Sequence, residues 1–409
     1  MQVSGRGEWR AGWTMLFAST ISFALSSIPL ATVGALIKPL GAEFGWSRAE
    51  MSFAVLLTAF GTLTMSPFVG PLVDRIGPRK VGLAGMILVG LGTMSIGLAG
   101  PSIVSWYIGW ALYAVAQTFS NGVIWSNAVI SRFDRNRGAA LAVFLTLQAL
   151  AFGAVPIIAL TILNAFGWRW IYFATGLASL LIGWPLTWRL FYAARDLDPA
   201  AAPPETKSRG RSGMATLLVA LRTRIFWQIA MSFGIAAACV GAAFIHLQPV
   251  LIDAGITPER AAAAIFMVGP ASVAGRLLTG ILLDRYQPQM ISAAALLFPA
   301  TAYAMLLFLA KSEASAIVIA LFIGLAAGAE TDLLAYVVSR YFRTASFSSI
   351  YAPLLGIYGV GYGLAPVVAG GVFDRTDSYV PAFATLMAAA FVGAILMITL
   401  GKPAADPPV

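Results

Sequence analysis

Residues 70–78 read GPLVDRIGP, and residues 280–288 read GILLDRYQP. Laid over one another at an offset of 210, the two stretches share Gly, Leu, Asp, Arg and Pro. The same offset sets Gly45 on Gly255, Ser47 on Thr257, and the FAT of 173–175 on the FAT of 383–385. One offset recurring at three separate places marks a chain built from two copies of one unit.

The composition says what each unit is made of. Hydrophobic residues make up 59% of the 409 and charged residues 11%, where soluble domains carry about 25% charge. Mean hydropathy is +0.84, and runs of about 20 apolar residues, one bilayer crossing each, recur from end to end. Turn punctuation between them predicts twelve spans near 12–38, 48–73, 80–99, 102–131, 139–164, 169–192, 225–252, 258–283, 289–310, 315–341, 347–373 and 379–401. Ser47 with Glu50 reads as a capping box before the second span, and Thr257–Pro258 as the start of the eighth. The apolar run from Trp13 to Ile37 is longer than the core of a cleavable signal. The single cysteine, Cys239, falls within a span, which leaves no intramolecular disulfide.

Charge sets the orientation. Nineteen of the 26 Lys and Arg residues lie at the N-terminus, in the even-to-odd loops or at the C-terminus, and six on the opposite side. By the positive-inside rule both termini are cytoplasmic, in a multi-pass protein of the inner (plasma) membrane. The formal charge of +9 is accounted for by this topology and calls for no nucleic acid. The one long hydrophilic stretch, 193–224, reads as a cytoplasmic linker between an N-terminal six-helix bundle (1–192) and a C-terminal one (225–409). The expected fold is an all-α membrane protein of twelve helices in two pseudo-symmetric bundles.

GPLVDRIGPRK (70–80) resembles the loop motif between the second and third spans of the major facilitator superfamily, and the likeness in layout extends over nearly the whole chain. In that motif Gly70 would allow close helix approach, while Asp74, Arg75 and Gly77, echoed by Asp284 and Arg285, would latch helix ends during gating. EFGWSRAEMSFA (43–54), RNRGAALAVFLTLQALAFG (135–153) and FSSIYAPLLGIYGVGYGLAPVVAGGVFD (347–374) resemble the monocarboxylate porter branch. That resemblance implies transport of a small carboxylate anion, often with a proton, and an arginine in span eight where Arg276 stands. Two features depart from the animal members: Ser272 stands where they carry an aspartate, and Ala31 where they carry a lysine.

Arg276 lies nine residues before Arg285, about 13 Å deep at 1.5 Å per residue. A guanidinium there costs about 2.5 kcal/mol or more and must meet a partner or water. Its planar fork suits a carboxylate held bidentately. The anchor is therefore either a substrate carboxylate or an acid of the same half. The candidates for the latter, and for carrying a proton, are Glu330 and Asp332 in GAETDLLAY (328–336). Two positions apart on a helix, they point to opposite faces. Tyr336, at i+4 from Asp332, shares its face. In span four Gln117, Ser120 and Asn121 fall at i, i+3 and i+4 and read either as one polar stripe lining a substrate cavity or as helix–helix glue. Tyr358 and Tyr362 form a further i, i+4 pair in span eleven and, with Tyr336, are candidate substrate-binding residues that would close the cavity. His246, the only histidine, reads as an interfacial side chain making ordinary hydrogen bonds rather than as a proton gate. Pro29, Gly269–Pro270 and Pro366 are points where helices can bend or pack closely.

These readings converge on secondary active transport of monocarboxylates such as lactate or pyruvate, with alternating access to a central site and a proton as the coupling ion. The alternatives are an anion exchanger and a proton-coupled exporter of apolar cations or drugs. An enzyme is disfavoured, for there is no HExxH, no cysteine pair and no GxSxG. No cofactor or metal is implied. The partners are the bilayer, the substrate anion and the proton.

Overall fold

The computed structural model describes residues 5–133, 135–197, 217–309, 312–343 and 347–403. Among them eleven helices are long and apolar enough to cross a membrane. Span 1 is Gly5–Phe44, span 2 Arg48–Ile76 and span 3 Pro78–Gly97. Span 4 is in two pieces, Ile103–Thr118 and Gly122–Arg132, each too short to be counted singly. Span 5 is Arg137–Phe166, and span 6 runs from Trp168 to Leu190 through a π-helical turn at Ser179–Gly183. Span 7 is Arg224–Asp253, and span 8 joins Pro258–Phe266 to Val268–Leu283. Spans 9 to 12 are Pro288–Phe308, Glu313–Tyr341, Phe347–Thr376 and Val380–Ile398. Of the linker expected at 193–224, residues 198–216 lie outside the described residues.

Local chemistry sets these ends. The Ser47 amide donates to Glu50 Oε2 at 2.8 Å, and the Glu50 amide to Ser47 Oγ at 3.2 Å, the reciprocal pair of a capping box. Thr257 caps span 8 ahead of Pro258. Gly45, Gly167 and Gly255 leave the helices preceding them at φ of 72°, 86° and 90°, a region open to glycine. Span 8 breaks at Met267 because Pro270 has no N–H to offer the carbonyl of Phe266.

Packing divides the chain into two compact units: Met1–Leu36, Ala42–Trp46 and Leu57–Glu205 form one, and Ile37–Gly41, Ser47–Leu56 and Thr206–Val409 the other. Short stretches at the adjoining ends of spans 1 and 2 thus pack with the second unit, a detail absent from the division expected at 192. The first unit is centred on span 3 packed against spans 4 and 6. Its core is aromatic, with Trp106, Trp110, Tyr113 and Tyr172 fully buried. In the second unit span 7 packs on 11, span 8 on 10, and span 9 on 10 and 12.

The repeat recurs in three dimensions at the same offset. Ser22 Oγ reaches the Gly183 carbonyl at 3.4 Å in the first unit, and Ser232 Oγ the Gly393 carbonyl at 3.0 Å in the second. Both numbers differ by 210. Where Gly167 turns with positive φ, the residue 210 further on is Asp377, the one non-glycine residue with positive φ (53°) among those described.

Candidate functional site

Spans 8 and 10 approach so closely that a Cβ has no room at Gly275, Gly324 or Gly328. It would strike the backbone of Leu325, Val268 and Ser272 respectively. Val268 with Gly324 and Ser272 with Gly328 are successive contacts one helical turn apart. A further turn brings Arg276 to Asp332, since residues four apart share a helix face. Arg276 Nε lies 2.8 Å from Asp332 Oδ2. That nitrogen is buried and its N–H is not directed along a hydrogen bond, so the contact is between charges rather than an aligned pair. The side chain of Arg276 is 24% exposed and that of Asp332 43%. A charge pair this far inside two spans and this open must meet water rather than hydrocarbon.

Glu330 is turned the other way. Two residues on a helix correspond to about 200° of rotation, and Glu330 is 3% exposed. Its Oε2 accepts from Tyr358 Oη at 2.9 Å, while Oε1 has no hydrogen-bond partner. Of the two acids weighed as partners for Arg276, the structure pairs Asp332 with it. The polar neighbours of Glu330 are instead hydroxyl groups.

The tyrosines divide accordingly. Tyr358 serves Glu330, and Tyr362 packs with its ring 6.3 Å from that of Phe244. Tyr336 lies under the Arg340 guanidinium at 5.7 Å. Tyr351, not singled out from the sequence, stacks on Phe347 with 5.1 Å between ring centroids.

In span 4 the expected stripe is not formed, because the helix stops at Thr118 and restarts at Gly122. Asn121 is the cap of the second piece, its Oδ1 accepting from the amides of Val123 at 3.0 Å and Ile124 at 3.3 Å. Its Oδ1 is thereby committed to the backbone. Ser120 is buried against Met86 and Trp125. Gln117 Oε1 is buried without a partner, as is Gln148 Oε1, whose amide nitrogen donates to Ser27.

The loop motif is partly explained. Gly77 needs its φ of 90° to turn from span 2 into Pro78 at the start of span 3. Arg79 Nη2 donates to the Trp188 carbonyl at 2.7 Å and its guanidinium covers the Tyr192 ring at 4.0 Å, tying the loop to the end of span 6. Gly70 does not act as expected: nothing lies within 4 Å of a Cβ placed there. The side chain of Asp74 lies outside the described residues. Arg75 stands in the last turn of span 2, and Asp284 and Arg285 are exposed beyond span 8.

A second polar cluster lies within the second unit, at the end where spans 7 and 8 connect. Asp253 holds Lys38 Nζ at 2.7 Å and Arg48 Nη1 at 2.8 Å. Arg48 Nη1 also donates to Tyr379 Oη at 2.8 Å. The amides of Arg48 and Ala49 donate to the two oxygens of Asp374 at 3.0 and 2.9 Å, an anion capping a helix N-terminus. His246, fully buried rather than interfacial, joins Tyr379 Oη at 2.8 Å and the Pro366 carbonyl at 2.7 Å. The carbonyl only accepts, so Nε2 carries the proton and Nδ1 accepts from Tyr379. Burial raises the Tyr379 phenol above its ordinary value, against the hydrogen bond from Arg48, and keeps it a donor. Lys38 and Arg48 belong to the six basic residues on the side opposite the termini.

Eleven membrane-long helices among the described residues, in two units that repeat at one offset, with the Arg276–Asp332 pair well inside spans 8 and 10, describe a polytopic membrane protein. Residues 15–357 match the model of the Major Facilitator Superfamily, and the chain belongs to that family. It is 24% identical over 408 residues to Monocarboxylate transporter 13 of Rattus norvegicus, covering 96% of this chain and 89% of that one. It is 24% identical over 391 residues to the uncharacterized transporter YycB of Bacillus subtilis (strain 168), with 92% and 91% coverage. In fold it is similar to a mutant of the nucleoside transporter NupG, with a TM-score of 0.80 at 13% identity, covering 96% of this chain and all of that one. It also resembles a bacterial homologue of the lysosomal transporter Spinster, with a TM-score of 0.71 at 16% identity and 94% of each chain covered.

Proposed function

We propose that this protein carries small monocarboxylate anions, of the lactate or pyruvate class, together with a proton, by alternating access. The observation that carries the reading is the Arg276–Asp332 pair, two opposite charges well inside spans 8 and 10 with Asp332 43% exposed. A guanidinium held by one poorly aligned contact has donors left for a planar anion. The substrate carboxylate then competes with Asp332 for Arg276. The aspartate that animal monocarboxylate porters carry in span eight is Ser272 here, and Asp332 supplies a carboxylate from span 10 instead. A single cation also favours a monoanion, because a second carboxylate would lack a counter-charge. The full-length likeness to Monocarboxylate transporter 13 supports the same substrate class. The excess of Lys and Arg on the side of the termini supports a plasma-membrane protein with both termini in the cytoplasm.

The test is uptake of labelled lactate, pyruvate and a panel of other acids into proteoliposomes, with and without an inward proton gradient. Wild type should show saturable uptake raised by the gradient, and Arg276→Ala and Arg276→Lys should both lose it. Carboxylate uptake that survives in both variants, or no anion uptake by wild type, would reject the anchor. Apolar cations moving outward in exchange for protons would then be the reading to pursue. Gradient-insensitive exchange of one anion for another would keep the anchor and replace symport by antiport.

A further inference from the structure

Proton coupling needs a side chain that takes up and releases the proton, and assigning that role to Glu330 rests on the symport proposed for this chain. The unpartnered Oε1 of Glu330 belongs to a side chain that lines a small cavity between spans 7, 9 and 10. The other polar side chains lining it are Ser232 and Ser292, and the room inside is about that of one water molecule.

The hydrogen-bond arithmetic of this cavity is one-sided. Ser232 spends its hydroxyl proton on the Gly393 carbonyl at 3.0 Å, and Ser292 spends its own on the Pro288 carbonyl at 2.9 Å. Each serine therefore turns lone pairs inward, as does Glu330 Oε1. The polar side chains that line the cavity thus offer acceptors and no free hydroxyl proton. A single water brings two protons and leaves one acceptor unsatisfied. When Glu330 is protonated on Oε1 the set closes: the acid donates to the water, and the water donates to both serines. The cavity is thus complementary to a water plus one proton.

We infer that Glu330 takes up and releases its proton through this one-water pocket with Ser232 and Ser292, on the face of span 10 turned away from the Arg276–Asp332 pair. The proton and the substrate anion then use opposite faces of the same helix.

Two further observations support the assignment. The titratable groups around Glu330 are Cys239 of span 7, Tyr303 of span 9, and Tyr358 and Tyr362 of span 11, all neutral when protonated. No fixed positive charge among them competes for the carboxylate. The corresponding place in the first unit, 210 residues earlier, has Ser22, Gly82 and Ser120 in these positions. There the Trp125 ring would lie 3.3 Å from a Cβ at Gly82, and Ser120 stands where the acid would be. The carboxyl group of Glu330 thus has no counterpart at the equivalent position of the first copy.

The experiment is acid-minus-base infrared difference spectroscopy of the reconstituted full chain, with internal-dye recording of proton entry and with homoexchange of labelled substrate at equal pH. A carboxylic C=O band should appear in wild type and vanish in Glu330→Gln. The double variant Ser232→Ala/Ser292→Ala should keep the band but shift it. It should slow proton-coupled uptake about five- to ten-fold, the effect of about one buried hydrogen bond, while homoexchange stays within about two-fold. If Glu330→Gln removes the band and the serine variant leaves band and proton entry at wild-type values, Glu330 is the carrier but the pocket is not its route. If Glu330→Gln keeps both band and proton coupling, the reading of Glu330 itself fails. Should the double variant not fold, Ser292→Thr keeps the hydroxyl and adds one methyl to the pocket. Slowed proton entry would then support the inference, and unchanged entry would overturn it. Sodium replacing the proton as driver, with loss of that effect in the serine variant, would make the pocket a sodium site and overturn it as well.

Discussion

Arg276 stands 2.8 Å from Asp332 one turn beyond the point where Ser272 meets Gly328. The charged contact is the continuation of a small-residue seam. Two helices that touch backbone to backbone at one turn hold their side chains in register at the next. The close approach of glycines in span 10 is therefore what aligns a guanidinium with a carboxylate inside the membrane.

That seam makes a contrast between glycines. Gly328→Val places a branched side chain against the Ser272 backbone, which cannot yield as a flexible side chain would. It should destabilise the protein by about 1–3 kcal/mol and reduce carboxylate uptake with it. Gly70→Ala, with nothing within 4 Å of the new Cβ, should leave thermal stability in detergent unchanged or slightly raised, since alanine favours the helix by about 1 kcal/mol. Equal losses of melting temperature in both variants would remove the seam from the explanation.

Competition between Asp332 and the substrate for Arg276 has a kinetic signature. Asp332→Asn keeps the shape and removes the charge, so the anion no longer displaces a carboxylate. The KM for the anion should fall about three- to five-fold, the effect of a half-exposed ion pair of up to about 1 kcal/mol. Rate enhancement by an inward proton gradient should persist, because Glu330 on the opposite face of span 10 carries the proton. A KM that rises instead would mean that Asp332 helps to hold the substrate or to position Arg276.

His246 is bound on both ring nitrogens by groups that water does not reach. His246→Phe fills the space but leaves the Tyr379 hydroxyl proton without its buried acceptor, while Tyr379 Oη still accepts from Arg48 Nη1. An unpaired buried polar group costs about 1–3 kcal/mol, so the melting temperature of His246→Phe should fall, and that of Tyr379→Phe, which unpairs both the histidine nitrogen and one Arg48 donor, should fall at least as far. A melting temperature of Tyr379→Phe well above that of His246→Phe would mean that the Arg48–Tyr379 contact carries none of the cluster's stability.

Much of the architecture was legible because hydrophobic length and a repeated offset survive in one dimension. The offset of 210 drawn from three short matches reappears in the Ser22–Gly183 and Ser232–Gly393 hydrogen bonds and at the turns of Gly45 and Gly255. Helical rotation likewise foretold that Glu330 and Asp332 face apart. Which neighbour each acid meets was not legible, because period gives an angle and says nothing about which helix lies there. The glycines at 275, 324 and 328 were the available signal for spans 8 and 10. Their spacing marks a close helix contact, but the partner helix becomes visible only when both backbones are placed. The role of Gly70 was misread for a related reason, since a small residue permits contact without requiring it.

The break in span 4 is where sequence periodicity misled most, and it separates two roles for Asn121. Read on a continuous helix, Asn121 extends a polar stripe from Gln117. In the structure its Oδ1 receives two amides at the start of Gly122–Arg132. A cap of this kind is worth about 1 kcal/mol, and serine or aspartate replaces asparagine there while alanine does not. Asn121→Ala should therefore lower the melting temperature with little change in KM, and Asn121→Asp should restore stability. A substrate ligand behaves in the opposite way: alanine raises KM at constant stability, and a new carboxylate repels an anionic cargo. Measuring both variants for melting temperature and for KM separates the cap from the ligand, because the aspartate variant is predicted to be sound in one case and the worse of the two in the other.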